Sequence, residues 1–342
     1  MMGGEAPKFW WRAPSWQAFV LAPFAAAYGA AARWKLDHGE RADAGLPVLC
    51  IGNFTAGGGG KTPTALALGR AALAMGLKPG FLSRGHGGAL AGPVLVDPAR
   101  HGAAAVGDEP MLLAALAPTA VAVDRKRGAA LLRLAGCDLL IMDDGFQSAR
   151  LKTDYAVLVI DAGRGLGNGR VIPAGPLRAP LTDQVRHADA LLVIGEGDAG
   201  DAAIRSTARG GKPVFEAHLV PEVPERFAGQ RLLAFAGIAD PRKFYRSLQA
   251  LGAEVVGTRD FPDHHPFGEA EIAELQSRAA HEHLVLATTR KDAVRLAGGH
   301  AAARRFLEGV AVLDVTLAFA EASTPERFLR ETLAAFKRRT LG

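Results

Sequence analysis

The chain has 342 residues, 49% of them hydrophobic, and a formal net charge of +5. This length and apolar content are typical of a folded protein with two lobes and exclude a disordered chain. The two cysteines, Cys50 and Cys137, lie in apolar runs and are too few for a disulfide framework, which indicates a reducing compartment. The mild basic excess suits an anionic partner, but no nucleic-acid module or zinc-binding spacing appears, so we expect no nucleic-acid partner.

Residues 1–40 include an apolar, alanine-rich run, residues 16–32, with tryptophans and basic residues on both sides. The run is shorter than the roughly 20 residues that span a bilayer, and Pro23 and Gly29 interrupt it. It also lacks the layout and cleavage site of a signal peptide. We therefore predict a membrane-associated helix that lies in the interface, anchored by tryptophan and basic side chains. A helix that packs on the protein's own core is the alternative.

From residue 46 onwards, short apolar runs alternate with helix-like segments such as "PRKFYRSLQALG" and "EAEIAELQSRAA". This alternation predicts an α/β fold with a mostly parallel sheet flanked by helices. A boundary near residues 196–212 gives two lobes, a core lobe in residues 41–205 and a smaller α/β lobe in residues 206–342. The predicted strands are "LPVLCIG", "KPGFLS", "TAVAVD", "DLLIMDD", "YAVLVID", "ALLVIGE", "KPVFEAHLV", "RLLAFAGI", "AEVVGTRDF", "HLVLATT" and "VAVLDVT".

The segment "GGGGKT", residues 57–62, is either a flexible linker or a phosphate-binding loop. A linker would join two domains and could be followed by any sequence. Here the apolar strand "LPVLCIG" precedes the loop, and "KTPTALALGRAALAMG" follows with a helical pattern. A strand, a glycine-rich loop and a helix in this order are the context of a P-loop. The sequence therefore predicts a P-loop NTPase-like fold.

The residue types of this loop explain how it would bind phosphate. Glycines let backbone N–H groups turn toward phosphate oxygens, and the helix N-terminus adds a partial positive charge. Lys61 would reach the β- and γ-phosphates, and the Thr62 hydroxyl would ligate Mg²⁺. Thr55 stands where the motif has its first glycine, which makes the loop a variant. The nucleotide-binding candidates in the loop are Thr55, Gly57, Gly58, Gly59, Gly60, Lys61 and Thr62.

A P-loop also needs a carboxylate near the metal, at the end of a neighbouring strand. The segment "CDLLIMDD" supplies an apolar strand that ends in Asp143 and Asp144. One carboxylate would hold Mg²⁺ and the other would orient water or substrate. The pattern leaves open which does which; we take Asp143 as the metal candidate and Asp144 as a nucleotide-binding candidate. A strand that simply ends in a polar turn is the alternative.

Two further motifs, "SRGHGG" and "VGDEP", are expected at the edge of the sheet where ligands bind. In the second motif, Asp108 and Glu109 are candidates for a general base, with ordinary N-capping of the next helix as the alternative. The Gly/Pro-rich loop "GNGRVIPAGPLRAPL" contributes Arg170 and Arg178, which suit a clamp on phosphates. A solvated loop is the alternative for both arginines.

In the second lobe, "FPDHHPF" places Asp263, His264 and His265 between aromatic and proline residues. Adjacent histidines point in different directions on an extended backbone, so we do not expect one metal ion to bind both. A His and Asp pair that tunes a base across the cleft between the lobes is the more attractive interpretation. The motif alone is more typical of an ordinary structural turn.

Taken in order, "GNFTAGGGGKTP", "SRGHGG", "GDEP", "DDGFQ", "VLVIDAGRGLGNGRVIPAGPLR", "FAGIADPRKF", "FPDHH" and "TTRKDAVR" resemble the tetraacyldisaccharide 4′-kinase family of lipid A biosynthesis. The likeness runs from the N-terminal tryptophans to about residue 296. It implies transfer of the γ-phosphoryl group of ATP to the 4′-hydroxyl of a tetraacyldisaccharide 1-phosphate. It also implies a location at the cytoplasmic face of the inner membrane of a Gram-negative bacterium, which fits the N-terminal prediction.

The resemblance implies roles for single residues as well. The family's base matches Asp108, with His264 beside it, and its phosphate-contacting arginine matches Arg178. The segment "DDGFQ" adds Gln147 as a nucleotide-binding candidate. The set is coherent, because phosphoryl transfer depends mostly on positioning and charge neutralisation. The catalytic candidates are then Asp108, His264, Lys61 and Arg178, with ATP and Mg²⁺ as cofactors.

This chain departs from the family pattern at three positions. His86 replaces the usual tyrosine of "SRGYGG", and Ala179 follows Arg178 where glutamate is common. The first departure changes a stacking or hydrogen-bonding group, and the second removes a carboxylate. Arg290 also stands where glutamate is common, and we attach no mechanism to it.

A nucleotide-switch GTPase or a metal-delivery NTPase is the main alternative. A guanine-reading loop has asparagine or threonine, then lysine, one residue and aspartate, whereas "TRKD" has its lysine one place too late. No cluster of Cys and His supports metal delivery. A membrane-associated scaffold with an inactive ATP site is a further alternative, and the intact Lys61, Thr62 and Asp143 argue against it.

Overall fold

Strands and helices alternate along most of the chain in the computed structural model, which describes residues 6–13 and 15–341. The strands are β1 (Val48–Asn53), β2 (Pro79–Ser83), β3 (Val94–Leu95), β4 (Thr119–Val121), β5 (Leu139–Asp143), β6 (Tyr155–Asp161), β7 (Ala190–Ile194), β8 (Val214–Pro221), β9 (Arg231–Ala236), β10 (Glu254–Asp260), β11 (Val285–Thr289), β12 (Val310–Leu313) and β13 (Val315–Phe319). The helices are α1 (Trp16–Val20), α2 (Ala22–His38), α3 (Lys61–Ala74), α4 (Ala103–Val106), α5 (Asp108–Ala114), α6 (Arg125–Leu134), α7 (Leu181–His187), α8 (Asp201–Arg209), α9 (Pro241–Ala250), α10 (Glu269–Glu282), α11 (Arg290–Ala297), α12 (Ala301–Glu308) and α13 (Thr324–Leu341). Short 3₁₀ turns lie at Lys8–Trp11, Phe146–Ser148 and Pro224–Arg226.

The larger lobe is built on a nine-stranded sheet with the order β13-β8-β7-β6-β1-β5-β2-β4-β3. Neighbouring strands are parallel except at the two ends, where β13 pairs antiparallel with β8 and β3 pairs antiparallel with β4. Helices cover both faces, so β1 and β5 are buried along their whole length and read as continuous apolar runs. This arrangement confirms the predicted mostly parallel sheet flanked by helices.

The smaller lobe is built on a four-stranded parallel sheet with the order β10-β9-β11-β12. One face of this sheet packs Phe235 against Ile272 and Phe306, and the other packs Leu232 against Phe244. The segments "PRKFYRSLQALG" and "EAEIAELQSRAA" form α9 and α10, as their three-and-four spacing predicted. A second, smaller α/β lobe is therefore present.

The structure draws the boundary of this lobe differently from the sequence analysis. The sequence predicts a second lobe in residues 206–342, but β8 pairs with β7 and β13 pairs with β8 in the large sheet. The predicted strand "VAVLDVT" is divided at Asp314 into β12 and β13, which lie in different sheets. Helix α13 then packs Phe328 and Leu329 into the core of the larger lobe. The smaller sheet is limited to residues 231–313, because only those strands pair with one another.

The predicted N-terminal segment, residues 1–40, includes residues 1–5 and 14, which lie outside the described residues. The apolar run forms α1 and α2, and Pro23 lies in the first turn of α2, where its missing N–H costs nothing. Leu36 is buried against the larger lobe. Among the residues described, no helix is long and apolar enough to cross a membrane. Five aromatic side chains of α1 and α2, which we call the aromatic face, are 44–71% exposed: Trp16, Phe19, Phe24, Tyr28 and Trp34.

The topology brings the predicted motifs to one edge of the large sheet. Strands β6, β1, β5, β2 and β4 are parallel neighbours, so the loops that follow them leave at the same carboxyl edge. The glycine run follows β1, the Asp143 and Asp144 pair ends β5, and "SRGHGG" follows β2. Open α/β sheets bind their ligands at this edge.

Candidate active site

The glycine run forms an open loop between β1 and α3. Gly57 and Gly60 have φ values of +101° and +87°, which residues with a side chain rarely adopt. A Cβ atom on Gly60 would lie 2.4 Å from Cδ1 of Ile194, whereas one on Gly57 or Gly58 would meet no atom within 4 Å. The side-chain amide of Asn53 donates to the Gly57 carbonyl at 2.9 Å. The loop leaves space in front of the α3 N-terminus, where N–H groups and the helix dipole favour an anion.

Thr62 and Asp143 meet where α3 begins and β5 ends. The Thr62 hydroxyl donates to Oδ2 of Asp143 at 3.1 Å. Within the described part of the chain, Oδ1 of Asp143 is buried without a hydrogen-bond partner. Burial raises the pKa of Asp143 to about 6, and the nearby Lys61 offsets only part of this effect. A free carboxylate oxygen beside a threonine hydroxyl fits Mg²⁺, which takes oxygen ligands and favours the charged carboxylate.

Asp144 and Arg178 form a bidentate ion pair beside the loop. Nη1 and Nη2 of Arg178 lie 2.5 and 3.2 Å from the two Asp144 carboxylate oxygens. Nζ of Lys61 lies 3.7 Å from Oδ1 of Asp144. Burial opposes ionisation, but Lys61 and Arg178 together lower the pKa of Asp144 to about 2. Asp144 has a φ of +59°, a conformation that residues other than glycine seldom adopt and that often marks a functional position.

Thr55 and Gln147 hold this cluster in place through internal hydrogen bonds. The Thr55 carbonyl accepts from Nε of Arg178 at 3.0 Å. The Gln147 amide donates to the Asn53 carbonyl at 2.8 Å and to Oε1 of Gln184 at 3.0 Å. Its own oxygen accepts from Nη1 of Arg178 at 3.3 Å. These two residues support Arg178 and the loop, and their contact with a nucleotide stays a prediction.

Asp108 begins α5 and meets His264 from the smaller lobe. Nδ1 of His264 lies 2.8 Å from Oδ2 of Asp108, and Nε of Arg295 donates to the same oxygen at 2.7 Å. Burial opposes ionisation, but His264 and Arg295 lower the pKa of Asp108 to about 2, while Asp108 raises the pKa of His264. Gly107 occupies the N-cap position and Asp108 the first helical position, so Asp108 is not the cap. The predicted pair across the cleft is assembled, and its catalytic role stays a prediction.

Sequence reasoning missed the cations that surround Asp108 and Glu109. Nζ of Lys291 lies 2.5 Å from Oε1 of Glu109. Arg295, which bonds Asp108, also donates through Nη1 to Asp292 at 2.7 Å. Lys291 and Arg295 stand four residues apart on α11 and therefore share one face of the helix. That spacing in "TTRKDAVR" was a usable signal, because two cations on one face suit a pair of acidic partners.

Asp108, Glu109 and His264 offer another group of possible metal ligands, since their ligand atoms lie within 4.8 Å of one another. Arg295 and Lys291 already pair with the two carboxylates at 2.6 and 2.5 Å. A cation here would compete with a guanidinium and an ammonium group. Thr62 and Asp143, with the free Oδ1 of Asp143, are therefore the better candidates to hold a magnesium ion.

Three other residues singled out from the sequence make different contacts. The guanidinium of Arg170 lies 4.9 Å from the ring centroid of Phe19, so it contacts α1 rather than the phosphate loop. Ala179 is fully buried in the core of the larger lobe. Nε of Arg290 lies 3.6 Å from Oδ2 of Asp314, and about half of its side chain is exposed. The contacts of Ala179 and Arg290 do not explain why the chain departs from the family pattern at these two positions.

His86 and the two adjacent histidines lie near one another in the cleft. The His86 ring is 5.8 Å from the His264 ring in an edge-to-face arrangement, so this departure touches the partner of Asp108. Nε2 of His265 lies 2.9 Å from the Glu271 carboxylate. His264 and His265 therefore have different partners, in agreement with the different directions expected of them.

Comparison with known proteins identifies the family of this chain. A family model described as tetraacyldisaccharide-1-P 4′-kinase matches residues 17–334. Curated relatives named tetraacyldisaccharide 4′-kinase from Agrobacterium fabrum and Chelativorans sp. are 53% and 51% identical, over 93% and 100% of this chain and 91% and 99% of theirs. A crystal structure of LpxK from Aquifex aeolicus in complex with ATP matches with a TM-score of 0.69 and 25% identity, covering 92% of this chain and 99% of that chain. The chain belongs to the tetraacyldisaccharide-1-phosphate 4′-kinase family.

Proposed function

We propose that the protein transfers the γ-phosphoryl group of ATP to the 4′-hydroxyl of a tetraacyldisaccharide 1-phosphate in lipid A biosynthesis. Membership of the kinase family supports the reaction. The observation that carries the proposal is the closeness of the phosphate loop to the Asp108 and His264 pair. Helix α5, which begins at Asp108, packs against α3, which follows the phosphate loop, and both contribute to one core cluster. His86, in the loop that follows β2, contacts His264 at the same carboxyl edge of the sheet as the phosphate loop.

In this proposal the phosphates of ATP lie in the loop of residues 57–60, and Thr62 and Asp143 hold Mg²⁺. The ion, when bound, would neutralise charge on the phosphate oxygens. Nζ of Lys61 is paired with Asp144 only at 3.7 Å, so it can turn toward the phosphates without losing a close contact. Arg178 is fixed to the start of the loop through Thr55, which keeps a second cation near the transferred group.

Asp108 would act on the acceptor hydroxyl. As the 4′-oxygen bonds to the γ-phosphorus, the bond from that phosphorus to the bridging oxygen breaks, ADP takes the electron pair, and the hydroxyl proton passes to Asp108. A carboxylate with a pKa of about 2 is a weak base. It suffices where the transition state is loose, because the carboxylate then mainly orients the hydroxyl and stabilises its developing charge.

The acceptor carries acyl chains, so we also propose that the protein binds a membrane surface through the aromatic face. Contiguous exposed aromatic side chains on a helix are typical of an interfacial anchor. Arg12 and Lys35 are exposed nearby and suit anionic head groups. The proposed location is the cytoplasmic face of the bacterial inner membrane, where the enzyme would meet both ATP and its lipid.

A nucleotide-switch or metal-delivery NTPase finds no specific support in the site. Lys291 and Asp292 of "TRKD", which would have to read a guanine base, are bound to Glu109 and Arg295 instead. A kinase that uses these residues around its acceptor is the better explanation of the arrangement.

The experiment is transfer of labelled γ-phosphate from Mg-ATP to tetraacyldisaccharide 1-phosphate in mixed micelles, with GTP and lipid-free reactions in parallel. We expect lipid-dependent labelling with ATP, and none with the Lys61→Ala variant. ATP hydrolysis without labelled lipid would overturn the proposed transfer and favour the switch or delivery alternative.

A further inference from the structure

We propose that Arg295 is a positioning residue, which fixes the Asp108 carboxylate so that its free oxygen, Oδ1, faces the acceptor hydroxyl. The inference rests on the proposed function, because it takes Asp108 as the group that accepts the hydroxyl proton. It adds a residue of α11, outside the P-loop and the aspartate pair, to the machinery for the acceptor.

The contacts on Asp108 are unequal between its two oxygens. Oδ2 receives the Nε hydrogen bond of Arg295 at 2.7 Å and lies 2.8 Å from Nδ1 of His264. Nη2 of Arg295 lies 2.6 Å from the same oxygen but is not directed at it as a hydrogen-bond donor. From the residues that the structure describes, Oδ1 receives no hydrogen bond. The carboxylate is thus held by one oxygen, and the other keeps its lone pairs for a ligand.

Arg295 can impose this orientation because it is itself immobilised. Its Nη1 donates to the Gly237 carbonyl and to Oδ1 of Asp292, both at 2.7 Å. Asp292 is fully buried and accepts from the Thr289 hydroxyl at 2.6 Å and from the Gly237 N–H at 3.0 Å. The end of β9 and the first turn of α11 therefore fix the guanidinium plane. A planar fork anchored through two of its nitrogens, Nε and Nη1, is a role that lysine can reproduce only in its charge.

Charge gives Arg295 a second effect on the same carboxylate. Because Asp108 is nearly buried, it would tend to take up a proton if its cationic partners were lost. Arg295 supplies a guanidinium whose side chain is only 6% exposed, so solvent screens it little. The other charged or titratable groups around the pair are Glu109, Asp263, His264, Lys291 and Asp292.

The first test compares Arg295→Met with the matched control Arg290→Met, which removes a half-exposed arginine from the same helix. Single-turnover transfer to the lipid, ATP affinity and the thermal midpoint are measured for both, and the rate is followed against pH. We expect Arg295→Met to slow transfer about tenfold or more, to leave ATP affinity within about twofold, and to move the acid limb to higher pH. Arg295→Lys should recover part of the rate, and Arg290→Met should match the wild type.

The second test is a double-mutant cycle, which separates positioning from simple support of the fold. If Arg295 acts through Asp108, adding Arg295→Met to Asp108→Asn costs little further rate, because the group that it positions is already disabled. Additive losses, or a loss in Arg295→Met that is the same at every pH and accompanied by weaker ATP binding, would overturn the inference. If the wild-type enzyme does not label the lipid, the proposed function fails together with the inference. If the wild type is active and Arg295→Met is equally active, only the inference about Arg295 fails.

Discussion

Replacement of Asp108 by asparagine tests the acceptor chemistry with the smallest change of shape. In the structure, Oδ2 of Asp108 faces the donors His264 and Arg295, and Oδ1 receives no hydrogen bond from the described residues. An asparagine that keeps its oxygen toward these two donors presents its NH₂ group, a donor, where the hydroxyl needs an acceptor. The opposite orientation places NH₂ against a guanidinium. Neither orientation can take up the hydroxyl proton.

The expected size of the effect follows from the role. Removal of a general base usually costs about a hundredfold or more in rate, which corresponds to about 2.7 kcal/mol in the activation barrier at 1.36 kcal/mol per factor of ten. ATP affinity should stay near that of the wild type, because Asp108 has no hydrogen bond to the phosphate loop within the described residues. Arg295 keeps Asp292 as an ionic partner in the variant, so the fold should persist.

The assay is single-turnover transfer of labelled phosphate to the lipid, with ATP binding measured separately by titration calorimetry. Asp138→Asn is a suitable control, since this carboxylate lies at the opposite end of β5 from Asp143. Wild-type transfer by Asp108→Asn would remove Asp108 from the mechanism. A rate loss fully explained by weaker ATP binding would instead assign it to the nucleotide site.

Three further predictions test the loop, the histidine and the membrane surface. Gly60→Ala should lower the thermal midpoint and weaken ATP binding, because the new Cβ would lie 2.4 Å from the Ile194 side chain at a positive φ, a strain of about 1–3 kcal/mol. The control Gly58→Ala should leave the midpoint unchanged, because its Cβ would meet no atom within 4 Å. Asp108 raises the pKa of His264 above its ordinary value of 6.5, so the charged pair stabilises the fold fully below pH 6.5 and loses its effect as the pH rises through the raised pKa. His264→Gln should therefore destabilise the protein toward urea more at about pH 6 than at about pH 9. Alanine at all five positions of the aromatic face should reduce sedimentation with anionic liposomes, whereas Leu134→Ala, which removes an 83% exposed leucine elsewhere, should not.

Contrary results have distinct meanings. An unchanged midpoint in Gly60→Ala would show that the loop relaxes without strain, and a pH-independent loss in His264→Gln would show that the pair does not depend on a charged imidazole. Equal sedimentation of the aromatic-face variant and the wild type, with matching circular dichroism spectra, would show that these side chains do not anchor the protein.

Much of the fold was predictable because its signals are local. Apolar runs of five to seven residues bounded by glycine, proline and aspartate correspond to strands such as β1 and β6. The lobe boundary was not predictable in the same way. Whether "VAVLDVT" is one strand or two depends on which sheet each half joins, and that pairing is decided by partners about a hundred residues away, such as Val220 opposite Thr316. The two-residue edge strand β3 is too short to show any periodicity.

The residues of the candidate site also differ in whether local sequence predicts them. Lys61, Thr62 and Asp143 were predictable, because each follows a strand or begins a helix within one motif. The contact of Arg295 was not predictable, since its partner Asp108 lies 187 residues earlier in the chain. Nothing around either residue in the sequence shows that the other is its partner. Sequence spacing showed only that Lys291 and Arg295 share a helix face, and the structure supplies what that face meets.

Several ion pairs between the lobes, among the described residues, have their acid in the larger lobe. In four ion pairs between the lobes, the acids Asp161, Asp108 and Glu109 belong to the larger lobe, and their partners Lys243, His264, Arg295 and Lys291 belong to the smaller one. The phosphate loop and its aspartates, by contrast, lie entirely in the larger lobe. In the proposed mechanism, the candidate ATP site would then use residues of the larger lobe, whereas the orientation of Asp108 would use two residues of the smaller one. We therefore expect docking of the lobes to matter for the acceptor side of the reaction more than for ATP binding.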